Sequence, residues 1–245
     1  MIILVASGKG GTGKTLVATS LALSLRKRER VKFLDCDVEE PNAHIFLKPL
    51  FSRVEAVSIP VPEINEEKCT CCGKCSEVCL YHAIAVLGKK VLVFPELCHG
   101  CGACSHLCPE GAIAEVGREI GVVEIGWSEG MEFVHGKLSP GEPRATPVIK
   151  RVKENVEPEK VVIIDVSPGT SCPMVEAIKG SDFCVLVTDP TPFGLYDLTL
   201  AREVVAGMGI PYGVVINRTG VGDGRIDKYC LEQNIPILMK IPLEK

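Results

Sequence analysis

Four cysteines spaced Cys69-x2-Cys72-x2-Cys75-x3-Cys79 are followed by four more at the same spacing, Cys98-x2-Cys101-x2-Cys104-x3-Cys108, the second run closed by Pro109. No other feature constrains this chain as tightly, because thiols at such fixed steps must converge on something. Steps of three residues bring three thiolates of each run onto one turning loop. The fourth lies about a helical turn further on. C-x2-C-x2-C-x3-C-P is a run that ligates [4Fe–4S] cubes, and in two-cluster modules its fourth cysteine serves the other cube. The spacing therefore predicts Cys69, Cys72, Cys75 and Cys108 on one cluster, and Cys98, Cys101, Cys104 and Cys79 on the other. Cys71 falls outside the register and is expected to be a bystander.

Zinc and disulfides fit less well. Zinc sites use C-x2-C pairs with a longer gap between them. Disulfide scaffolds belong to short exported chains. This chain has 245 residues and 13 cysteines, and Met1 leads straight into an apolar run without a signal-peptide pattern. That combination predicts a reducing cytoplasm and metal-bound thiolates. The apolar runs at 161–164 and 184–187 are too short to cross a bilayer. The net charge of −4, without a dense Lys/Arg block, predicts neither a nucleic-acid surface nor a membrane partner.

Short β-branched runs that end in polar or glycine residues predict buried strands at 2–6, 31–34, 161–164, 184–187, 212–216 and 237–241. Helical periodicity falls between several of them, at 14–28, 146–155, 194–208 and 224–233. Such alternation predicts an α/β fold, a mostly parallel doubly wound sheet with helices on both faces. It breaks at about Ile59. Pro60-Val-Pro-Glu-Ile reads as an extended linker. Two similar units follow, 68–97 and 97–124, each a cysteine tetrad and then a hydrophobic strand, as in a small α+β bacterial-type ferredoxin domain. Sheet-like order is expected to resume near Val148. The predicted organisation is 1–60 and 125–245 as one sheet domain, with 61–124 inserted.

Gly8-Lys9-Gly10-Gly11-Thr12-Gly13-Lys14-Thr15 matches the phosphate-binding loop G-x-x-x-x-G-K-[ST], placed between a strand and a helix. Backbone N–H groups at Gly8, Gly10, Gly11, Thr12 and Gly13 are predicted to converge on phosphate oxygens. Lys14 neutralises the β/γ-phosphates, and the Thr15 hydroxyl is a Mg²⁺ ligand. Lys9 adds a second lysine to the loop. With it, the loop resembles that of the MinD/ParA/Mrp class of P-loop ATPases, which reads K-G-G-x-G-K-T. Three further segments resemble the family. Phe33-Leu-Asp-Cys-Asp37 is similar to its first switch strand, and Asp165-Val-Ser-Pro-Gly169-Thr170 to its second. Asn217 matches its adenine-recognising asparagine.

This resemblance, closest to a subgroup with an inserted two-cluster ferredoxin domain, implies ATP and Mg²⁺ as ligands. It also implies ATP hydrolysis, with Lys9, Lys14, Asp37 and Asp165 in catalytic roles, Asp37 orienting the attacking water. Gly169 would sense the γ-phosphate. The implied assembly is an ATP-dependent homodimer with Lys9 reaching across, and the implied partner an unidentified redox or metal-cluster protein. Nucleotide state would gate electron transfer, by analogy with the nitrogenase iron protein. The alternative is a carrier that assembles or transfers iron–sulfur or other metal clusters, although the chain has only single cysteines after Cys108. Two departures stand out. Leu16 replaces a hydroxyl residue common in the family, and the chain ends at Lys245 where relatives continue into further helix, so part of the adenine pocket is expected to be missing. Cys36, Cys172, Cys184 and Cys230 are expected to be buried thiols.

Overall fold

Apolar runs of five or six residues bounded by glycine or polar residues form the centre of the sheet, because strands covered on both faces need no alternation. In the computed structural model, which describes residues 1–220 and 222–243, strand β1 (Ile2–Ala6) leads into helix α1 (Lys14–Leu25). Strand β2 (Val31–Cys36) is buried at every position and is followed by the one-turn α2 (Ala43–Leu47). A long strand β3 (Leu50–Ile64) comes next. Then follow α3 (Lys74–Glu77), the hairpin β4 (Ile84–Leu87) and β5 (Lys90–Val93), α4 (Ala103–His106) and β6 (Ile113–Ser128). The remaining elements are β7 (Met131–Leu138), α5 (Ala145–Lys153), β8 (Val161–Val166), α6 (Cys172–Ile178), β9 (Phe183–Thr188), α7 (Pro192–Gly207), β10 (Tyr212–Thr219), α8 (Arg225–Glu232) and β11 (Ile237–Pro242). Glu244 and Lys245, and with them the expectation about the chain's end, lie outside the described residues.

The large sheet has the order β11-β10-β9-β1-β8-β2-β7-β6-β3. From β11 through β7 neighbouring strands pair in parallel, with Leu4 opposite Ile164 and Asp35 opposite Asp165. Beneath α1 the core gathers Val5, Ala18, Ala22, Phe33, Phe133 and Ile163. The Phe33 and Phe133 rings stack at 5.7 Å. At roughly 25 cal/mol per Å² of apolar surface removed from water, side chains of this size stabilise the fold by about 2 kcal/mol each.

Two expectations fail here. Residues 60–64 are extended but belong to β3, which forms the edge of the sheet; Pro60 and Pro62 are tolerated because an edge strand leaves one row of N–H groups unpaired. Sheet order also returns well before Val148, which lies in α5. It returns through β6 and β7, joined by Glu129 and Gly130 at φ 51° and 81°, the paired positive values of a tight two-residue hairpin turn.

The chain divides into two units, 1–55 with 122–138 and 143–245, and 56–121 with 139–142. The second is a repeat. Helices α3 and α4 each follow a glycine in the left-handed region, Gly73 at φ 83° and Gly102 at φ 73°. Ala83 and Ala112, four residues beyond Cys79 and Cys108, are both buried.

Candidate functional site

A cavity of about 520 Å³ lies over the loop from Lys9 to Leu16, with Asp37, Asn42, Ser167 and Pro168 on its other walls. Loop geometry explains the glycines. Gly11 and Gly13 take φ of 77° and 87°, where a side chain is strained. Gly13 precedes α1 without any side-chain cap, so the first N–H groups of that helix stay open to an anion and the helix dipole adds to their pull. Gly8 differs. It is not in the cavity wall, and a Cβ there would sit 2.0 Å from the Asp197 carbonyl oxygen, so it is glycine to let the loop pass against α7.

Lys14 is buried and forms an ion pair with Asp165, and its Nζ lies 3.9 Å from an Asp37 carboxylate oxygen. The Thr15 hydroxyl is within 3.4 Å of the same ammonium. Asp165 stands near the end of β8, fully buried, with one carboxylate oxygen lacking a hydrogen-bond partner among the described residues. The buried Thr12 hydroxyl is likewise unpartnered. Buried polar atoms are normally satisfied. Two such unpartnered atoms under a phosphate loop fit an anion and its cation. Burial raises the Asp37 carboxyl above its usual range, with Lys14 and the donating Ser167 hydroxyl (3.0 Å) acting in the opposite sense.

Asp35, two residues before Asp37, accepts the backbone N–H groups of Asp37 (3.0 Å) and Ala43 (3.1 Å), pinning the turn between β2 and α2. Burial, then the nearby Asp165 carboxylate, pushes its pKa up to about 8.

Lys9 does not project freely. Its Nζ pairs with Asp189 at 3.1 Å, and Asp189 also accepts the Thr191 hydroxyl at the start of α7. The Asn217 amide donates to the Thr12 carbonyl at 2.8 Å, bracing the loop from behind; neither it nor Gly169 lines the cavity. Gly169 has φ 105° and donates its N–H to the Ser7 carbonyl. Leu16 is half exposed at the cavity's rim.

In the second unit the cysteines fall into two groups. Cys69, Cys71, Cys72, Cys75 and Cys108 line one pocket, walled by Ile64, Val91 and Ala112. Cys79, Cys98, Cys101 and Cys104 line another, walled by Pro60, Pro62 and Ile84. Backbone N–H groups aim at three sulfurs, from Ala83 to Cys79 (3.3 Å), Gly100 to Cys98 (3.4 Å) and Ala112 to Cys108 (3.3 Å). Among the described residues, no group of three His, Cys, Asp or Glu side chains is drawn together tightly enough to hold one metal ion. In a cube each thiolate binds a different iron, so its ligands stand further apart than those of a single ion. The donor set and the apolar walls fit a cube.

Cys71 has φ 55°, matching Gly100 (φ 64°) in the second tetrad. Cys36, Cys184 and Cys230 are buried, and burial holds all three thiols well above the usual pKa. Cys172 is exposed, contrary to expectation, because it opens α6 with Pro173 rather than pointing into the core. Sequence reasoning also missed the part Ser167 and Asp189 play, each a partner of a predicted residue. Ser167 stood within the second switch segment, and Asp189 opens the loop two residues beyond the predicted strand 184–187.

A loop, a lysine and two acids arranged this way define a P-loop nucleotide-binding site. Residues 3–245 match the CobQ/CobB/MinD/ParA nucleotide-binding domain, and the chain belongs to that family. Two uncharacterized proteins of Methanocaldococcus jannaschii are similar to it. One is 34% identical over 226 residues, covering 91% of this chain and 80% of the relative; the other is 33% identical over 233 residues, covering 92% and 83%. An uncharacterized ATP-binding protein of the same organism is 26% identical over 246 residues, covering 99% and 74%. Among solved structures, the septum site-determining protein MinD of Pyrococcus horikoshii, complexed with Mg-ADP, superposes with a TM-score of 0.60 at 17% identity, covering 99% of this chain and 81% of that one. A nucleotide-binding protein of Archaeoglobus fulgidus in complex with ADP gives 0.56 at 15% identity, covering 100% and 82%. The large, mostly parallel α/β sheet is thus of the MinD/ParA type. No described helix is long and apolar enough to cross a membrane.

Proposed function

We propose that this protein binds and hydrolyses ATP and carries two [4Fe–4S] clusters, each held by three cysteines of one run and the fourth of the other, with nucleotide state coupled to electron transfer. The observation that carries the reading is the sorting of the cysteines. The four assigned to one cube line one pocket and the four assigned to the other line a second, each with the fourth cysteine crossing from the opposite run. The residues 61–124 would be the inserted ferredoxin-type domain, and the cytoplasm the place where such thiolates stay reduced.

The amides from Gly10 to Thr15 would hold the phosphates, while Lys14 exchanges its carboxylate partners for phosphate oxygens. Mg²⁺, when bound, supplies charge neutralisation between the phosphates. Thr15 and the unpartnered Asp165 oxygen are placed to hold it, directly or through water. Asp37, fixed by Ser167 and made more basic by burial, is the group to orient the attacking water. Clusters, when bound, supply one-electron chemistry. The chain contributes N–H bonds to their sulfurs and a dry wall, both of which tune potential. ATP-dependent pairing of two copies would require Lys9 to leave Asp189.

Anaerobic purification tests the reading. Two cubes predict about eight iron atoms per chain and Mg-dependent ATP hydrolysis that Lys14→Ala abolishes. Protein without iron refutes the cluster part. Transfer of that iron to an apo-acceptor protein is the result the carrier alternative requires.

A further inference from the structure

The two tetrads are related by a constant offset of 29 residues, Cys69 to Cys98 and Cys79 to Cys108. The backbone obeys the repeat. Cys71 matches Gly100 and His82 (φ 52°) matches Gly111 (φ 56°), all in the left-handed region. Two ends built on one backbone plan differ only in the side chains they present, and here the difference is charge. Residues 68–96 carry Lys68, Lys74, Lys89 and Lys90 against Glu77 and Glu96, a net of +2. Residues 97–121 carry Arg118 against Glu110, Glu115 and Glu119, a net of −2. The four lysines are exposed. Lys74 pairs with Glu77, but Lys68, Lys89 and Lys90 form no ion pair with any described residue. At the offset positions stand Leu97, Arg118, itself paired with Glu142, and Glu119.

Lys89 and Lys90 face into an open depression of about 480 Å³ whose other walls include Cys69, Cys71, Val91 and one acid, Glu66. Ile64, Cys69, Cys71 and Val91 also line the first cysteine pocket, so this depression lies directly against that group of cysteines. We propose that it is the docking face for an acidic one-electron carrier protein, which exchanges an electron with the cluster on Cys69, Cys72, Cys75 and Cys108. This rests on the two-cluster reading. One centre loses an electron and the other gains it, and no bond or proton is moved. Unpaired surface cations raise encounter rates with an acidic partner and orient it, an effect that salt screens.

The test uses the full chain, purified anaerobically, with an acidic flavodoxin as the probe. Affinity for oxidised flavodoxin is measured by calorimetry across a salt series. Stopped-flow absorbance follows cluster reduction by flavodoxin hydroquinone, and by dithionite as a small-molecule control. K89E/K90E is expected to weaken binding and slow the flavodoxin reaction by about tenfold or more, to flatten the salt dependence, and to leave iron content and the dithionite rate unchanged. E110K/E119K, at the second tetrad, is expected to weaken neither. Iron-replete K89E/K90E with parental affinity and rate overturns the docking face alone. Equal losses in both variants do the same. A parent protein that holds no iron overturns the cluster reading and this inference with it.

Discussion

At the scale of single residues, the nucleotide site is a set of acids and lysines held in pairs. Lys9→Ala removes only a half-exposed contact to Asp189, so nucleotide binding should persist while turnover falls by at least tenfold, as measured by comparing the Kd for a fluorescent ATP analogue with kcat; normal turnover would remove any role for Lys9 across a dimer. Asp35 makes a pH prediction. Burial and the Asp165 carboxylate push its folded pKa up to about 8, above the usual carboxylate range of about 4, so the folded state binds the proton more tightly and stability declines as pH rises through that window. Asp35→Asn carries no such charge. In nucleotide-free protein the Tm difference between parent and variant should therefore shift toward the variant between pH 5 and pH 8. A constant difference would show that Asp35 keeps an ordinary pKa. Of these roles, Lys14, Thr15 and Asp165 were legible from the loop and its partner strand. A strand-end acid capping the following turn is the plain reading of Asp35, but that it reaches Ala43 of α2 was not legible, because that depends on where Ala43 folds back.

At the scale of elements, legibility followed uninterrupted apolar runs. Six of the seven strands that pair in parallel were read from such runs; the seventh, β7, was not, because Glu132, His135, Gly136 and Lys137 interrupt it although most of the strand is buried. Strand β3 escaped because it carries many exposed residues and two prolines that only an edge position tolerates, whereas β6 showed as the hydrophobic strand expected after the second tetrad. Helix α6 is seven residues opened by Cys-Pro, too short to show a period. The cysteine repeat was legible from spacing, but the strain at Cys71 was not. A left-handed residue costs roughly 1 kcal/mol more as cysteine than as glycine. Cys71→Gly should therefore leave iron content unchanged and match or exceed the parent in thermal stability, whereas Cys72→Ser should lose about half the iron. Equal iron loss in the two would place the ligand register elsewhere. Gly8→Ala forces a Cβ against the α7 backbone and should destabilise by about 2 kcal/mol or more in denaturant titration, without needing nucleotide to reveal it.

At the scale of the whole molecule, a nucleotide site and a cysteine-rich repeat share one chain, connected through β3 and β6. The turn after β2, which carries Asp37, and the loop after β8, which carries Gly169, precede and follow those connections in sequence. A nucleotide-dependent change at either can bias the repeat only if the two sites exchange free energy. Such coupling is reciprocal and typically ~1–3 kcal/mol. For a one-electron centre that corresponds to roughly 40–130 mV, at 59 mV per tenfold change in equilibrium constant. The decisive measurement is a redox titration of the anaerobic, full-length protein with and without a non-hydrolysable ATP analogue and Mg²⁺. A shift in midpoint potential of that size is expected for at least one cluster, matched by an equal fold-change in analogue affinity upon reduction. Identical potentials and identical affinities in both states would contradict it, and would leave the two halves of the chain as independent modules.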